Sequence, residues 1–415
     1  MSKLKKPYAN MSELTSNFLA LYGENSACQL ERYNKEFDRF KDVYNECSAY
    51  VASSSGRVEV CGNHTDHNGG RVLSCAISLD TLAMFLPTDD GIVRIMSEGY
   101  PEIVVDLNGI ENEKIGTSPA LVRGVAVGCV KRGFKIGGFK ATFTSNVLGG
   151  AGISSSASFE VLVSEIFNFL YNNSKMTAED KAIVSQFAEN VYFGKPCGLL
   201  DQTAIAYGGL KKLDFKNKEK IEVTSIENPL SDYTLVLIDT GGTHENLTDE
   251  YASIPSEMFA VANALGKNRL IETNREEFLS KLPEIKNSLS DRAVLRAMHF
   301  FDENERVDSA CDALNKNDFE TFLRSVKDSG ISSWSKLQNC CVAGSACQVI
   351  PYSLTVAEAY LNGGVNRVHG GGFAGSILNI VKNDNLQNFV SAVSKLFGRD
   401  KVIPLKVRTV GTIVL

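Results

Sequence analysis

The sequence predicts an α+β protein made of two mixed domains, and three observations lead to this prediction. The 415-residue chain is too long for one ordinary hydrophobic core, so two domains of roughly 200 residues each are the natural expectation. Helix-like and strand-like segments follow one another in the order of an α+β protein. No period of about 20–50 residues repeats and no low-complexity tract occurs, which excludes solenoid and disordered architectures. A cleft between the two domains is then the expected ligand site.

The N-terminal half begins with helix-like spacing over residues 12–47, where apolar side chains recur as they do on one face of a helix. Short strand-like runs follow, separated by Asn68-Gly69-Gly70 and Asp89-Asp90-Gly91, which have the composition of hairpin turns. We therefore predict a meandering sheet formed by residues 58–61, 81–86, 92–97 and 103–107.

The next segments predict a strand, a glycine-rich loop and a helix in succession. Residues 139–145 alternate as a strand face, residues 148–152 are rich in glycine, and the inner stripe of the helix would be Leu162, Ile166, Phe169 and Leu170. Another strand-like run begins the C-terminal half, helical segments follow it, and strands return near the end: residues 234–239, 255–265, 292–302, 319–327, 376–381 and 407–415.

Composition and charge restrict the partners of the chain. Hydrophobic residues make up 43% and charged residues 22%, and no run of 18 or more apolar residues is long enough to span a membrane. No secretory signal is recognisable at the start, so we expect the cytoplasm. The net charge is −6 and no basic clusters occur. This argues against nucleic acid and anionic membranes as partners, because the protein lacks the positive patches whose binding would release counterions from them. A small-molecule ligand is expected instead.

A glycine- and serine-rich segment offers a site for phosphate. It reads Gly149-Gly150-Ala151-Gly152-Ile153-Ser154-Ser155-Ser156-Ala157-Ser158. Its glycines allow the backbone to approach a ligand closely. Serines at the start of a helix present hydroxyls and free N–H groups at the positive end of the helix dipole. It is neither a Walker A loop nor a dinucleotide fingerprint. The alternative is a flexible linker whose serine caps the helix.

A second segment, residues 56–70, gathers polar side chains in a loop that follows a strand. It contains Arg57, Asn63, His64, Asp66 and His67, which can converge on sugar hydroxyls or on charge. The Asp-x-Asn-Gly portion also has the composition of an ordinary turn. The two histidines could indicate a metal, but no carboxylate or cysteine cluster completes a ligand set.

Two further segments carry candidate chemistry. Asp201 follows Gly194-Lys195-Pro196-Cys197-Gly198 and is a candidate base or hydroxyl-orienting group, while Glu189 lies 12 residues earlier and could hold Mg²⁺. Either acid, taken singly, is more often a solvated surface residue. The segment Gly370-Gly371-Gly372-Phe373-Ala374-Gly375 matches GxGxxG but precedes a strand, so the dinucleotide interpretation fails on context.

These four segments, in this order and spacing, resemble the galactokinases of the GHMP kinase superfamily, and the resemblance runs from about Ala52 to the C-terminus. The family's opening signature, Gly-Arg-Val-Asn-Leu-Ile-Gly-Glu-His-Thr-Asp-Tyr-Asn-Gly-Gly, is similar to residues 56–70. Its phosphate loop, Gly-x-Gly-Leu-Ser-Ser-Ser-Ala, is similar to residues 150–157. Its Pro-Cys-Gly-Ile-Met-Asp-Gln is similar to residues 196–202, and its Met-Thr-Gly-Gly-Gly-Phe-Gly-Gly to residues 368–375. His244 together with Glu250-Tyr251 is a weaker match to the family.

The resemblance implies a two-domain GHMP kinase fold. Residues 1–212 would form a ribosomal protein S5 domain 2-like N-terminal domain with the sugar-binding and phosphate loops, and residues 213–415 a ferredoxin-like domain that closes the cleft. We expect a monomer that binds a small-molecule sugar. The implied activity is ATP- and Mg²⁺-dependent phosphorylation of the anomeric C1 hydroxyl of galactose or a close analogue, in which positioning and electrostatics do most of the catalysis.

Carried over residue by residue, the resemblance also implies roles for individual side chains. Asp201 would orient or deprotonate the sugar hydroxyl, Arg57 would stabilise developing charge, and Ser155 with Glu189 would hold Mg²⁺. The sugar would be bound by Asn63, His64, Asp66, Gly198 and Tyr251. The ATP phosphates would be bound by Gly149, Gly150, Ala151, Gly152, Ser154, Ser155 and Ser156.

Departures from the family pattern keep other substrates open. Asn63 stands where the family has Glu near the sugar 6-hydroxyl, and His67 stands where it has Tyr. A neutral amide would not exclude a C6 carboxylate, so galacturonate is an alternative substrate, and N-acetylgalactosamine is a further one among the galactose variants. A galactokinase-like sugar sensor without catalysis is the alternative from another class. The complete Ser-Ser-Ser-Ala-Ser stretch at residues 154–158 argues against that sensor.

Overall fold

The computed structural model describes residues 6–23, 28–109, 115–217, 220–227, 230–242 and 247–415. Its strands are β1 (Tyr50–Cys61), β2 (Arg71–Pro87), β3 (Ile92–Ser97), β4 (Ile103–Asp106), β5 (Phe139–Ser145), β6 (Leu210–Asp214), β7 (Glu222–Ile226), β8 (Tyr233–Gly242), β9 (Val365–Val368), β10 (Gly375–Lys382), β11 (Val402–Leu405) and β12 (Ile413–Val414). Its helices are α1 (Thr15–Tyr22), α2 (Gln29–Tyr44), α3 (Ser118–Lys131), α4 (Ser155–Asn172), α5 (Ala178–Phe187), α6 (Leu200–Tyr207), α7 (Thr248–Ala264), α8 (Arg275–Ile285), α9 (Asp291–Asn315), α10 (Phe319–Ser332), α11 (Val349–Glu358) and α12 (Leu386–Phe397). The predicted α+β class is confirmed.

The larger sheet is built on the long β1–β2 hairpin. The pairing runs from Tyr50 opposite Phe85 to Cys61 opposite Leu73, and residues 62–70 connect the two strands. On its other edge, β2 is long enough to pair with two strands. The first residues of β2, 71–75, pair with β6, and its last residues, 81–87, pair with β5. The polar loop of residues 62–70 therefore lies at the end of two well-anchored strands.

The predicted meander is wrong at Asp89-Asp90-Gly91, because β2 and β3 are not neighbours. The strand order is β12-β1-β2-β5-β3-β4, so β5 lies between them and runs parallel to β3. The apolar face of β5, Phe139, Ala141 and Phe143, is buried, and this explains why β5 occupies an interior position in the sheet.

Helices α3 and α4 pack against this sheet, and α5 packs against these two helices. The predicted inner stripe of α4 is confirmed, since Leu162, Ile166 and Phe169 are buried in the core with Phe167. Packing of this apolar face fixes the helix axis, and the glycine-rich loop at its N-terminus is thereby held at the edge of the sheet.

The smaller sheet has the order β11-β8-β10-β9, with every described pair antiparallel. The 25-residue α9 packs against α7 and α10 nearby. Ser290 caps α9 by accepting a hydrogen bond from the Ala293 N–H. Although its environment is largely apolar, α9 buries His299 and Glu303, which reach the loop after β1.

The end of the described chain returns to the larger sheet. Strand β12 pairs with β1 through Ala52 opposite Val414 and Ser53 opposite Ile413, whereas the sequence predicted a strand over residues 407–415. Arg408 is fully buried and donates to the Ser53 hydroxyl (2.6 Å). The division into domains at residue 212 stays a prediction. Within the part of the chain that the structure describes, no helix is long and apolar enough to cross a membrane.

Candidate active site

The glycine- and serine-rich segment forms a turn that leads directly into α4. Gly150 and Gly152 have φ values of 83° and 73°, and Ser154, at the start of the helix, has a φ of 65°. A left-handed serine is a strained conformation, costing about 1–3 kcal/mol, and such strain persists only where neighbouring contacts maintain it. The first N–H groups of α4 lack partners within the helix and point toward the loop, as in anion-binding sites.

Asp201 and Arg57, the predicted catalytic pair, meet beside this loop. Arg57 on β1 donates from Nε to Asp201 Oδ1 (2.8 Å) and also donates from Nη1 to the Gly152 carbonyl. Ser154 donates its hydroxyl hydrogen to Asp201 Oδ2. Asp201 lies in the first turn of α6, and its carboxylate therefore joins β1, the phosphate loop and α6.

Glu189 lies in a π-helical turn, Ala188–Phe193, and is almost fully buried. Its Oε1 accepts from the Ser156 hydroxyl (2.8 Å) and contacts the ammonium of Lys195 (3.1 Å). Its Oε2 accepts from the Gln202 amide (2.8 Å). The serine that reaches Glu189 is thus Ser156 and not Ser155, so the metal role assigned to Ser155 stays a prediction that this contact does not favour.

Glu160 is a buried carboxyl group that the sequence analysis missed. It lies on α4 and accepts weakly from the Gln202 amide (3.3 Å), while its Oε1 has no partner among the described residues. Burial, and then the negative charge of Glu189, raise the pKa of Glu160 well above its usual range. Glu160 lies away from the predicted inner stripe of α4, on the face that carries Ser164 and Phe167, and the burial of this second face was not predicted from the sequence.

Asp66 and Gly198 are brought together from different segments. A Cβ atom on Gly198 would lie 1.8 Å from Asp66 Oδ2, so only glycine permits this approach. Burial opposes the ionised form of Asp66, but the neighbouring imidazoles of His67 and His64 lower the pKa of this carboxyl below its usual value. The Nδ1 atom of His67 is 3.6 Å from Asp66 Oδ1.

His64 and Tyr251 face the glycine turn that precedes β10. The Nε2 atom of His64 is 3.0 Å from the Gly371 carbonyl, which requires a hydrogen on Nε2. Burial lowers the pKa of His64 to about 4, so its ring is neutral at pH 7. Tyr251 donates to the Gly372 carbonyl (2.8 Å). His244 lies outside the described residues.

Asn63 differs from the expectation that it faces the sugar. Its side chain has no exposed surface, and its amide donates to Glu59 Oε1 and to the Gly370 carbonyl, each at 2.8 Å. Its side-chain oxygen accepts from the Asn339 amide (2.8 Å). A role for Asn63 as a direct sugar ligand stays a prediction that this burial does not favour.

Comparison with known proteins defines the class of this fold and site. The family model of the N-terminal domain of GHMP kinases matches residues 120–209, which include the phosphate loop, Glu189 and Asp201. A crystal structure of mevalonate kinase shares the fold, with a TM-score of 0.62 at 14% identity over 86% of this chain and 99% of that one. The protein therefore has the fold of the GHMP kinases.

A narrower family follows from the other matches. The galactokinase galactose-binding signature matches residues 38–87. Galactokinase of Limosilactobacillus reuteri (strain DSM 20016) is 31% identical over 378 residues, covering 88% of this chain and 93% of that relative. Galactokinase of Clostridium tetani is 29% identical over 374 residues, covering 89% and 93%. Lactococcus lactis galactokinase complexed with galactose has a TM-score of 0.80 at 25% identity, covering 92% and 100%. The chain belongs to the galactokinase family.

Proposed function

We propose that this protein transfers the γ-phosphoryl group of ATP to the anomeric C1 hydroxyl of galactose. The observation that carries the proposal is the cluster of Arg57, Asp201 and Ser154 at the N-terminus of α4, where a carboxylate and a guanidinium adjoin a phosphate loop. The galactokinase relatives, one of them solved with galactose, support galactose as the acceptor.

The nucleotide phosphates would bind at the loop of residues 149–156. The N-terminus of the 18-residue α4 favours negative charge, and the hydroxyls of Ser154, Ser155 and Ser156 supply further donors. Glycines at 149, 150 and 152 leave the backbone accessible, since a Cβ on Gly149 or Gly150 would meet no atom within 4 Å.

The residues beside this loop fit a hard cation. Glu189 and Ser156 offer oxygen ligands of the kind that Mg²⁺ prefers, and the Lys195 ammonium already lies 3.1 Å from Glu189 Oε1 as a stand-in cation. Glu189 and Ser156 would hold the ion, with Ser155 as the alternative that the sequence suggested. When bound, Mg²⁺ would neutralise charge on the phosphates.

Asp201 would act on the acceptor hydroxyl. Its contact with Arg57 and its place in the first turn of α6 hold it beside the phosphate loop. It would therefore orient the sugar hydroxyl toward the phosphorus and accept its proton as the oxygen attacks. Arg57 would stabilise the negative charge that develops between the sugar oxygen and the γ-phosphate.

Asp66, His64, Gly198 and Tyr251 would form the sugar side of the site. An ionised carboxylate accepts hydroxyl hydrogens, and a neutral imidazole offers one donor and one acceptor. The case for galacturonate depended on a neutral Asn63 facing C6. Because the side chain of Asn63 is buried against Glu59 and Asn339, that case loses its support. The galactokinase relatives favour galactose over both galacturonate and N-acetylgalactosamine.

The test is ATP turnover with galactose, galacturonate, N-acetylgalactosamine, glucose and arabinose, followed by NMR of the product. We expect turnover of galactose and a phosphorylated C1. Asp201→Asn serves as the control, since it should bind galactose without turning it over. Tight binding of ATP and galactose by the wild-type protein without any product would instead support the sugar-sensor alternative.

A further inference from the structure

A buried polar network surrounds the side chain of Asn63 and uses its whole hydrogen-bonding capacity. The amide nitrogen donates to Glu59 Oε1 and to the Gly370 carbonyl, each at 2.8 Å. The amide oxygen accepts from Asn339 Nδ2 (2.8 Å) and from the Ser333 hydroxyl at a longer 3.4 Å. An amide whose donors and acceptor are all engaged, and which has no exposed surface, has nothing left to offer a ligand.

Glu59, four residues earlier on β1, supplies the charge of this network. Its Oε1 also accepts from Arg367 Nη2 (3.2 Å), and Arg367 donates from Nη1 to the Val60 carbonyl (3.0 Å). Burial raises the pKa of Glu59 to about 7, while Arg367, Arg57 and the Asn63 amide favour its ionised form. A buried carboxylate of this kind depends on every donor around it.

The network fixes the backbone that carries two of the proposed sugar-binding side chains. The Asn63 carbonyl accepts from His299 Nε2 (2.9 Å), and the next residue, His64, has a left-handed φ of 55°. Asp66 follows in the same loop. A residue in that conformation must be maintained by its neighbours, and Asn63 connects it both to β1 and to the glycine turn at Gly370.

The side chains of Glu59 and Asn63 are exchanged relative to the galactokinase signature quoted above. That signature has an amide at the position of Glu59 and a carboxylate at the position of Asn63. Here the carboxylate lies on the strand and the amide in the loop, and the two are in direct contact. One carboxylate and one amide are present either way, so two changes that would each disturb the network compensate one another.

We propose that Glu59 and Asn63 are a mutually dependent pair of positioning residues, which hold the sugar-binding loop against the glycine turn and do not themselves bind sugar. The proposal rests on the proposed function. Asn63→Glu would bury a second carboxylate against Glu59, and Glu59→Asn would leave Arg367 without its buried partner. The double variant, with both changes, would restore one carboxylate and one amide.

The experiment compares wild type, both single variants and the double variant by galactose affinity, measured calorimetrically, and by steady-state kinetics. We expect each single change to weaken galactose binding and raise KM for galactose at least about tenfold, and the double variant to recover to within about threefold of wild type. The affinity for MgADP should change less than about twofold in all of them. Asn287→Glu makes the same substitution at an exposed position and should change nothing.

Two further measurements keep the test decisive if a single variant folds poorly. Glu59→Gln keeps the shape and the acceptor for Asn63 but loses the charge, and it should raise KM with little change in kcat. Galactose and galacturonate should weaken in parallel across the series, because no ligand contact is altered. A double variant no better than the worse single variant, or an unchanged galactose affinity in Asn63→Glu, would overturn the proposal. Failure of the wild-type protein to bind galactose would instead refute the proposed function.

Discussion

Adding a single methyl group at Gly198 tests the sugar side of the site directly. The new Cβ would lie 1.8 Å from Asp66 Oδ2, whereas a carbon and an oxygen in van der Waals contact stand about 3.2 Å apart, so the carboxylate must retreat by roughly 1.4 Å. Because the obstructing atom is the end of a side chain, Asp66 can turn away without unfolding the protein. A displacement of about 1 Å in a positioning group costs on the order of a hundredfold in rate. We expect Gly198→Ala to lower kcat/KM for galactose by about that factor.

The assay for this variant is steady-state kinetics at saturating MgATP, with MgADP affinity and Tm measured in parallel. MgADP affinity should stay within about twofold of wild type, since the phosphate loop is not touched. Gly109→Ala is the matched control, because a Cβ there meets no atom within 4 Å. If Gly198→Ala retains the wild-type KM and kcat for galactose, Asp66 is not a sugar ligand held by this close approach, and the proposed sugar site is wrong.

Three other predictions concern catalysis, the metal and pH. Asp201→Asn should lower kcat at least about a hundredfold while galactose and MgADP still bind by calorimetry; near wild-type kcat would remove Asp201 from the mechanism. Ser156→Ala should raise the Mg²⁺ concentration needed for half-maximal activity several-fold more than Ser155→Ala, because Ser156 contacts Glu189; the reverse order would restore the role of Ser155. Burial lowers the pKa of His369 well below its usual value, so its contribution to stability is complete above pH 6.5 and is lost as pH falls. Urea unfolding should therefore show a smaller decrease in the free energy of unfolding between pH 7.5 and pH 5 for His369→Gln than for the wild type. An equal decrease in the free energy of unfolding of both proteins would contradict the prediction for His369.

The parts of the site that sequence reasoning found are those where one short segment supplies both geometry and chemistry. Three glycines followed by serines at a helix start define a phosphate loop locally, and the apolar stripe of α4 predicts the helix that holds it. Arg57 and Asp201 are 144 positions apart, yet each lies beside a glycine-rich turn, and their meeting agrees with the order of the motifs. The roles assigned to them stay predictions.

What sequence reasoning missed depends on contacts between distant segments. Asn63 looked like a loop residue open to ligand because nothing in its own segment shows that Asn339 and Gly370 enclose it. Ser155 and Ser156 are indistinguishable in a serine run, and only the orientation of the first turn of α4 decides which hydroxyl reaches Glu189. The position of β5 between β2 and β3 likewise follows from competition for the core, which local turn composition does not encode.

The return of the last residues to β1 has a consequence for the order of events during synthesis. Strand β12 and the buried Arg408, which lies 3.8 Å from Asp80, belong to a sheet whose first strand begins at Tyr50. While the chain emerges from the ribosome, the Asp80 carboxylate already has Arg32 as a partner (2.6 Å), but this edge of β1 must wait for residues more than 300 positions downstream. In a fragment ending at residue 212 this edge of β1 would stay unpaired. We therefore expect the larger sheet to reach its final stability only after residues 408–414 have emerged, leaving the nascent chain dependent on protection from aggregation until then.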